Sequence, residues 1–297
     1  MRRAQRLPRP LIPPPFDTAA AEYAIALGVV DVHAEPDSDS EVVTQALLGM
    51  PLIPLDTAEG WRAVELPDYA GWIPETALAS RPSASEQVAV VTVPRAPLYE
   101  ARDARSPESD RVVEVYATTT LPLLARSDDD ARLTVALPGG EHGLLRVEDC
   151  AIRPVQAPFP PRLIAEMLAF GQQLLGVPYL WGGVTALGLD CSGLAQLCLR
   201  YAGVSILRDA DQQYASIPYA VERGDLRAGD LIFFARDGRI VHVGVMLDSG
   251  RVLHADGSAR HQVTINALDP DSEDYSARLA HLYAGARRPI PAGKEPA

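Results

Sequence analysis

Asp190-Cys191-Ser192-Gly193-Leu194-Ala195-Gln196-Leu197-Cys198-Leu199-Arg200-Tyr201 is the stretch on which the reading of this chain turns. Leu194, Leu197, Cys198 and Tyr201 recur at i, i+3, i+4 and i+7, one apolar stripe of a helix. Asp190 is a natural N-cap, and Gly203 lies where such a helix would stop. Cys191 is therefore expected in the first turn, where unpaired N–H groups and the helix dipole favour negative charge. A free thiol has a pKa of about 8.5, and a helix start or a nearby imidazolium lowers it. Its own N–H is expected to point towards a developing oxyanion. Cys191 is thus the candidate nucleophile. Cys198, on the stripe, and Cys150, with no matching constellation, read as structural thiols.

Downstream lie three short apolar runs, Asp230 to Ala235, His242 to Leu247 and Arg251 to Ala255, separated by turn signals at Asp237-Gly238 and Asp248-Ser249-Gly250. They read as an antiparallel meander in which His242 and His254 become neighbours on one face. A thiol, a base and an orienting group are the parts of nucleophilic acyl transfer. His33, His142, His261 and His281 have no comparable placement.

The chain has 297 residues, suggesting two or three domains, and its 47% hydrophobic and 22% charged residues make an ordinary globular composition. A net charge of −12 argues against nucleic acid as partner and against electrostatic binding to an anionic wall or membrane. The basic start at Met1-Arg2-Arg3 is followed by prolines rather than an uninterrupted apolar run, and no transmembrane stretch is present. Three cysteines give no disulfide framework. The expected compartment is the cytoplasm. No phosphate loop, zinc-helix motif or Cys-x-x-Cys pair occurs, and no cofactor or metal is expected. Cys191, His242 and His254 could in principle hold zinc; activity that survives chelators but not thiol alkylation excludes it.

Residues 17–152 are short β-type runs. Trp61 to Pro74 and Ala131 to Arg146 look like degenerate repeats, each an apolar strand, a Pro-containing turn, then Gly and apolar residues. Such spacing suits small barrels. Boundaries are expected at 1–16 for an N-terminal extension, 17–81 and 86–152 for two barrels, 153–161 for a proline-rich linker and 162–292 for the thiol-bearing domain.

Residues 160–292 resemble the NlpC/P60 peptidases, a papain-like family that cuts bacterial cell-wall peptides. The resemblance rests on Pro178 to Gly183, Asp190 to Gly193, Leu226 to Phe234, His242 to Val245, and His254-Ala255, in the family's order. Gly71 to Pro74, with Ser40 to Gly49, resembles a bacterial SH3 domain; the second copy is weaker and lacks the tryptophans. The implied fold is two all-β SH3-like barrels followed by an α+β papain-like domain with N-terminal helices on an antiparallel sheet. The resemblance makes Cys191 the nucleophile, His242 the base and His254 its orienting group, with Tyr179 aiding the oxyanion. On residue type alone, Tyr179 fits equally well as packing under the Gly182-Gly183 turn. Asp190, Ser192 and Trp181 are implied to line the substrate site.

Two SH3 units before such a domain resemble the γ-D-glutamyl-L-diamino acid endopeptidases of muropeptide recycling. That likeness implies a murein tripeptide or tetrapeptide substrate with a free N-terminal L-alanine, its ammonium held by Glu41, Tyr69 and Asp209. Glu35 competes with Glu41, and Ala210 stands where the family often carries serine. Asp209 has a second option as a helix cap. Alternatives are a catalytically inactive wall-peptide scaffold, against which the intact thiol and histidines argue, and a thiol-dependent acyltransferase. The sequence does not choose between diaminopimelate and lysine, and is silent on oligomeric state.

Overall fold

The computed structural model describes residues 7, 9, 15–101, 112–127, 131–248 and 250–290, and divides into two compact units, Met1–Pro158 and Phe159–Ala297. The first unit holds two seven-stranded antiparallel sheets. One comprises β1 (Tyr23–Ile25), β2 (Val29–His33), β3 (Val42–Leu47), β4 (Pro51–Ala58), β5 (Trp61–Glu65), β6 (Ala70–Pro74) and β7 (Leu78–Ser80). Its strands pair in the order β3-β2-β6-β5-β4-β1-β7. The other comprises β8 (Gln87–Val91), β9 (Arg95–Ala101), β10 (Val112–Tyr116), β11 (Thr120–Arg126), β12 (Arg132–Ala136), β13 (His142–Arg146) and β14 (Cys150–Pro154). Its order, β10-β9-β13-β12-β11-β8-β14, is the first order shifted by seven strands. One topology is used twice.

The repeat visible in the sequence is the β5–β6 hairpin and its counterpart β12–β13. Ala63 faces Trp72 in the first, and Thr134 faces Leu144 in the second. Gly71 and Gly143 hold the same place. A Cβ on Gly71 would lie 2.8 Å from the His33 carbonyl, and one on Gly143 2.7 Å from Leu98 Cδ1. Glycine is thus required where each hairpin meets the neighbouring strand.

Each sheet has its own core, around Ile25, Leu52 and Ile73 in one and Leu98, Leu121 and Leu133 in the other. Leu48, just after β3, is buried in the second core, and Gly28 brings its backbone against Glu114. The two sheets therefore pack as one body, not as separate beads. β14 runs to Pro154, past the boundary expected at residue 152. Cys150 is half-buried against the second core, and burial pushes its thiol up to about 12.

The second unit contains α1 (Ile164–Gln172), β15 (Val184–Thr185), β16 (Gly188–Leu189), α2 (Cys191–Tyr201), α3 (Ala210–Ser216), β17 (Ala220–Val221), β18 (Leu231–Arg236), β19 (Arg239–Met246), β20 (Arg251–Asp256), β21 (Gln262–Ala267), α4 (Ala277–Leu282) and β22 (Tyr283–Arg287). Six strands form one antiparallel sheet, β17-β22-β18-β19-β20-β21, so the expected meander is its centre. α2 begins at Cys191, as the stripe predicts. Gly203 adopts φ +80°, and the N–H groups of Gly203 and Val204 return to the carbonyls of Arg200 and Leu199 at 3.0 and 2.8 Å. A left-handed glycine of this kind ends a helix without Cβ strain.

The apolar stripe fixes α2 against α1, β19 and β20. Leu194, Leu197 and Cys198 are buried, as are Val243, Val245 and Leu253 on the strands. Each such leucine contributes about 1.5–3 kcal/mol by burial. Phe170 of α1 stacks on Tyr201 with ring centroids 4.2 Å apart. On the other face, α4 contributes Leu279 to a core with Ile232, Phe234, Met246 and Val252. Among the described residues no helix is long and apolar enough to cross a membrane.

Candidate active site

Asp190 does more than cap α2. Its Oδ1 accepts from the Gly193 N–H at 2.7 Å, Ser192 Oγ at 3.1 Å and Arg208 Nη1 at 3.0 Å. Its Oδ2 accepts from the Gly182 N–H at 2.9 Å and Arg208 Nη2 at 2.6 Å. Arg208 has no exposed side-chain surface and also donates to Ser192 Oγ at 2.9 Å. A buried guanidinium thus grips the residues on both sides of Cys191. The fork matches the carboxylate through two parallel bonds, which a lysine could not reproduce. Gly193 completes the arrangement, because a Cβ there would collide with the Gly183 carbonyl.

His242 and His254 meet as expected. His242 Nε2 lies 3.0 Å from His254 Nδ1, and the rings are nearly perpendicular at 87°. Gly244 permits this: a Cβ there would press on Val252 and lie 3.1 Å from His254 Cβ. His254 Nε2 in turn lies 3.0 Å from Asn266 Oδ1, while Asn266 Nδ2 donates to the Asp274 carbonyl at 3.1 Å.

That last bond orients the amide and fixes the protons along the chain. Asn266 Oδ1 can only accept, so His254 Nε2 carries the proton it donates. Neutral His254 then has a bare Nδ1, which accepts from the Nε2–H of His242. His242 is left with an unprotonated Nδ1, the nitrogen able to act as base. The N–H of Val243, the residue after His242, hydrogen-bonds the Cys191 sulfur, which sets the thiol against this part of β19.

The charge state of the thiol departs from the sequence expectation. Burial, followed by the negative charge of Asp190, pushes Cys191 up to about 12. The Val243 and Ser192 N–H groups and Arg208 pull the other way without overcoming it. Burial and then His254 bring His242 down to about 3, and burial also lowers His254. Desolvation at this site outweighs the helix terminus. Both directions favour the uncharged forms, a thiol and a neutral imidazole.

Tyr179 stands beside this pair. Burial, then the charges of Cys191 and Asp190, keep its hydroxyl protonated well above the usual phenol range, so it remains a donor. Its ring lies over Gly257, where a Cβ would be 2.7 Å from Cζ, and its N–H donates to the His261 carbonyl at 2.8 Å. Trp181 is 61% exposed. Asp209 is half-buried and joins a capping box with Gln212, whose Oε1 accepts the Asp209 N–H at 3.2 Å.

Glu41 and Tyr69 lie in the first unit. Glu41 is exposed immediately before β3, its carbonyl accepting the Ala34 N–H at 2.8 Å. Tyr69 is half-buried against the first sheet's core. Glu35, also exposed, sits on the same β2–β3 connection. The second unit thus brings together Cys191, His242, His254, Tyr179, Asp190 and Ser192. Two members of the site escape the sequence reading, Arg208 and Asn266. The signals for them are slight: an arginine directly before Asp209, and an asparagine inside the β-type run Val263 to Ala267.

Residues 176–280 match the NlpC/P60 family, and residues 32–78 match the bacterial dipeptidyl-peptidase SH3 domain. The chain is 31% identical over 268 residues to a γ-D-glutamyl-L-lysine dipeptidyl-peptidase of Bacillus cereus, covering 85% of this chain and 76% of that one. It is 29% identical over 231 residues to a γ-D-glutamyl-L-lysine dipeptidyl-peptidase of Bacillus subtilis, covering 73% of each. The crystal structure of an NlpC/P60 family protein from Bacillus cereus superposes with a TM-score of 0.77 at 28% identity, covering 91% of this chain and all of that one. With a buried thiol at a helix start, a strand-borne imidazole whose base nitrogen is defined, and relatives matched across both units, the chain belongs to the NlpC/P60 family and is a cysteine peptidase.

Proposed function

We propose that this peptidase hydrolyses the amide between the side-chain carboxyl of D-glutamate and an L-diamino acid in cell-wall peptides with a free N-terminal L-alanine. The observation that carries the reading is the relay from His242 through His254 to Asn266, which leaves His242 Nδ1 bare, with the N–H of the next residue, Val243, on the Cys191 sulfur. The named relatives, matched over both units, support the bond. The cysteine helix against a histidine strand fits a papain-like arrangement, and the shared strand order fits a second SH3-type barrel in β8–β14.

Sγ attacks the γ-carbonyl while His242 Nδ1 takes its proton. The Cys191 N–H and the Tyr179 hydroxyl serve as oxyanion donors. The C–N bond breaks as His242 protonates the leaving amine, and water then hydrolyses the thioester. Ser192 and Trp181 line the glutamyl site. Asp190, whose oxygens already accept five hydrogen bonds, shapes that wall by holding Ser192 and Arg208.

Within the second unit, Asp209 is the group we assign to the alanine ammonium. We further propose that the peptidase acts on soluble wall fragments during recycling in the cytoplasm. Mass spectrometry of L-Ala-γ-D-Glu-L-Lys digests tests this: L-Ala-D-Glu is released by the wild type and not by Cys191→Ala. Binding of the peptide without any product would favour the scaffold instead. Equal cleavage of the N-acetylated peptide would remove the free-amine requirement.

A further inference from the structure

Arg278, in the first turn of α4, places Nη2 3.0 Å from Asp256 Oδ1 at the end of β20. Asp256 is almost fully buried and already accepts the N–H groups of Ser258, Ala259 and Arg260 at 2.9, 3.4 and 3.1 Å. It is a fixed anchor. Arg278 is not buried with it: 36% of its side chain is exposed, and among the described residues Asp256 is its hydrogen-bond partner. A guanidinium has five donors, so most of this one is uncommitted. Of the other arginines near the site, Arg208 has no exposed surface and is fully engaged with Asp190, Ser192 and Gly183, whereas Arg260, whose charge also acts on His254, is exposed just after β20.

Asp256 follows His254 by two positions on one strand, so both side chains leave β20 on the same face. Gly257, the residue after Asp256, lies under the Tyr179 ring, so the Arg278–Asp256 pair sits on the side of the site that carries Tyr179 and His254, and the charge of Arg278 acts on both imidazoles. The bond being cut supplies the rest of the geometry. His242 must come within hydrogen-bond reach of the leaving nitrogen to protonate it. In an L-diamino acid that nitrogen is bonded to the carbon that also bears the α-carboxyl group. A cation held at the end of β20, with donors free, offers such a carboxylate a partner.

We propose that Arg278 binds the free α-carboxylate of the diamino acid being released, and so makes this peptidase prefer peptides that end at that residue over peptides that continue beyond it. The inference rests on the bond assignment made under Proposed function. In a longer peptide the same carbon carries a neutral amide, which offers the guanidinium no charge. The chain's overall charge of −12 adds to the need for a local cation if an anionic leaving group is to approach.

The test compares L-Ala-γ-D-Glu-L-Lys as the free acid with its C-terminal carboxamide, using wild type, Arg278→Gln and Arg278→Lys. A lost charge-assisted bond corresponds to about tenfold or more in kcat/KM. The wild type is expected to favour the acid by about that factor, mainly through KM. Arg278→Gln lowers kcat/KM for the acid to the carboxamide's value and leaves the carboxamide unchanged; Arg278→Lys recovers part of the difference. Equal wild-type rates on acid and carboxamide would overturn the proposal, and need no variant that folds. So would Arg278→Gln slowing both peptides alike, since that marks a structural role through Asp256. If the wild type cuts neither peptide, the bond assignment itself fails; if it cuts both equally, only the role of Arg278 does.

Discussion

Asn266 gives the His242–Cys191 pair its direction. It is uncharged, so it sets the tautomer of His254, and through it that of His242, without stabilising an imidazolium. With His242 down at about 3, the base is unprotonated throughout the neutral range. Between about pH 6.5 and 3 the unfolded chain takes up a proton at His242 that the folded chain does not, so stability falls as pH drops through that window. We therefore expect kcat/KM to stay level below neutrality until circular dichroism reports loss of structure. A wild-type acid limb near 6.5 with structure intact would contradict this. Asn266→Asp keeps the acceptor and adds a negative charge, which raises both imidazole pKa values and moves the acid limb towards neutrality. Asn266→Leu removes the acceptor and is expected to lower kcat on the order of a hundredfold with little change in KM.

The elements were legible to different degrees, and the reasons are physical. α2 was readable because stripe, cap and stop all lie within fourteen residues of Asp190–Gly203, and the meander because its turns are punctuated by Gly238 and Gly250. Asn266 was not readable: its contact with His254 depends on the register of β20 with β21, where His254 pairs with Thr264. The thiol's charge was misjudged for a similar reason, since the helix start is local whereas burial by β19 is not. The second sheet was faint because Leu144 stands where the first has Trp72. Gly244→Ala puts a methyl against Val252 and His254 Cβ, where neither strand can yield without moving an imidazole. It should cost about 1–3 kcal/mol of stability and reduce kcat more than the lost stability explains. Thermal melts and kinetics on one preparation check it, and unchanged kcat would show that β20 can shift without disturbing the relay.

Across the whole molecule, the chemistry and the expected amine selectivity fall in different units. Every member of the relay, with Tyr179, Asp190 and Arg208, lies within Phe159–Ala297, whose core is built from its own helices and sheet. Glu41 and Tyr69 lie within Met1–Pro158, which has two cores of its own. A chain of residues 159–297 should therefore melt cooperatively and keep Cys191-dependent cleavage. If Glu41 and Tyr69 bind the alanine ammonium, that chain should lose the distinction between the free and the N-acetylated tripeptide, through a fall in kcat/KM for the free peptide alone. In the full-length protein, Glu41→Gln should move the same ratio in the same direction while leaving cleavage of the acetylated peptide unchanged. If residues 159–297 retain the full preference for the free amine, the selectivity resides in Asp209 and its neighbours, and the first unit has another task.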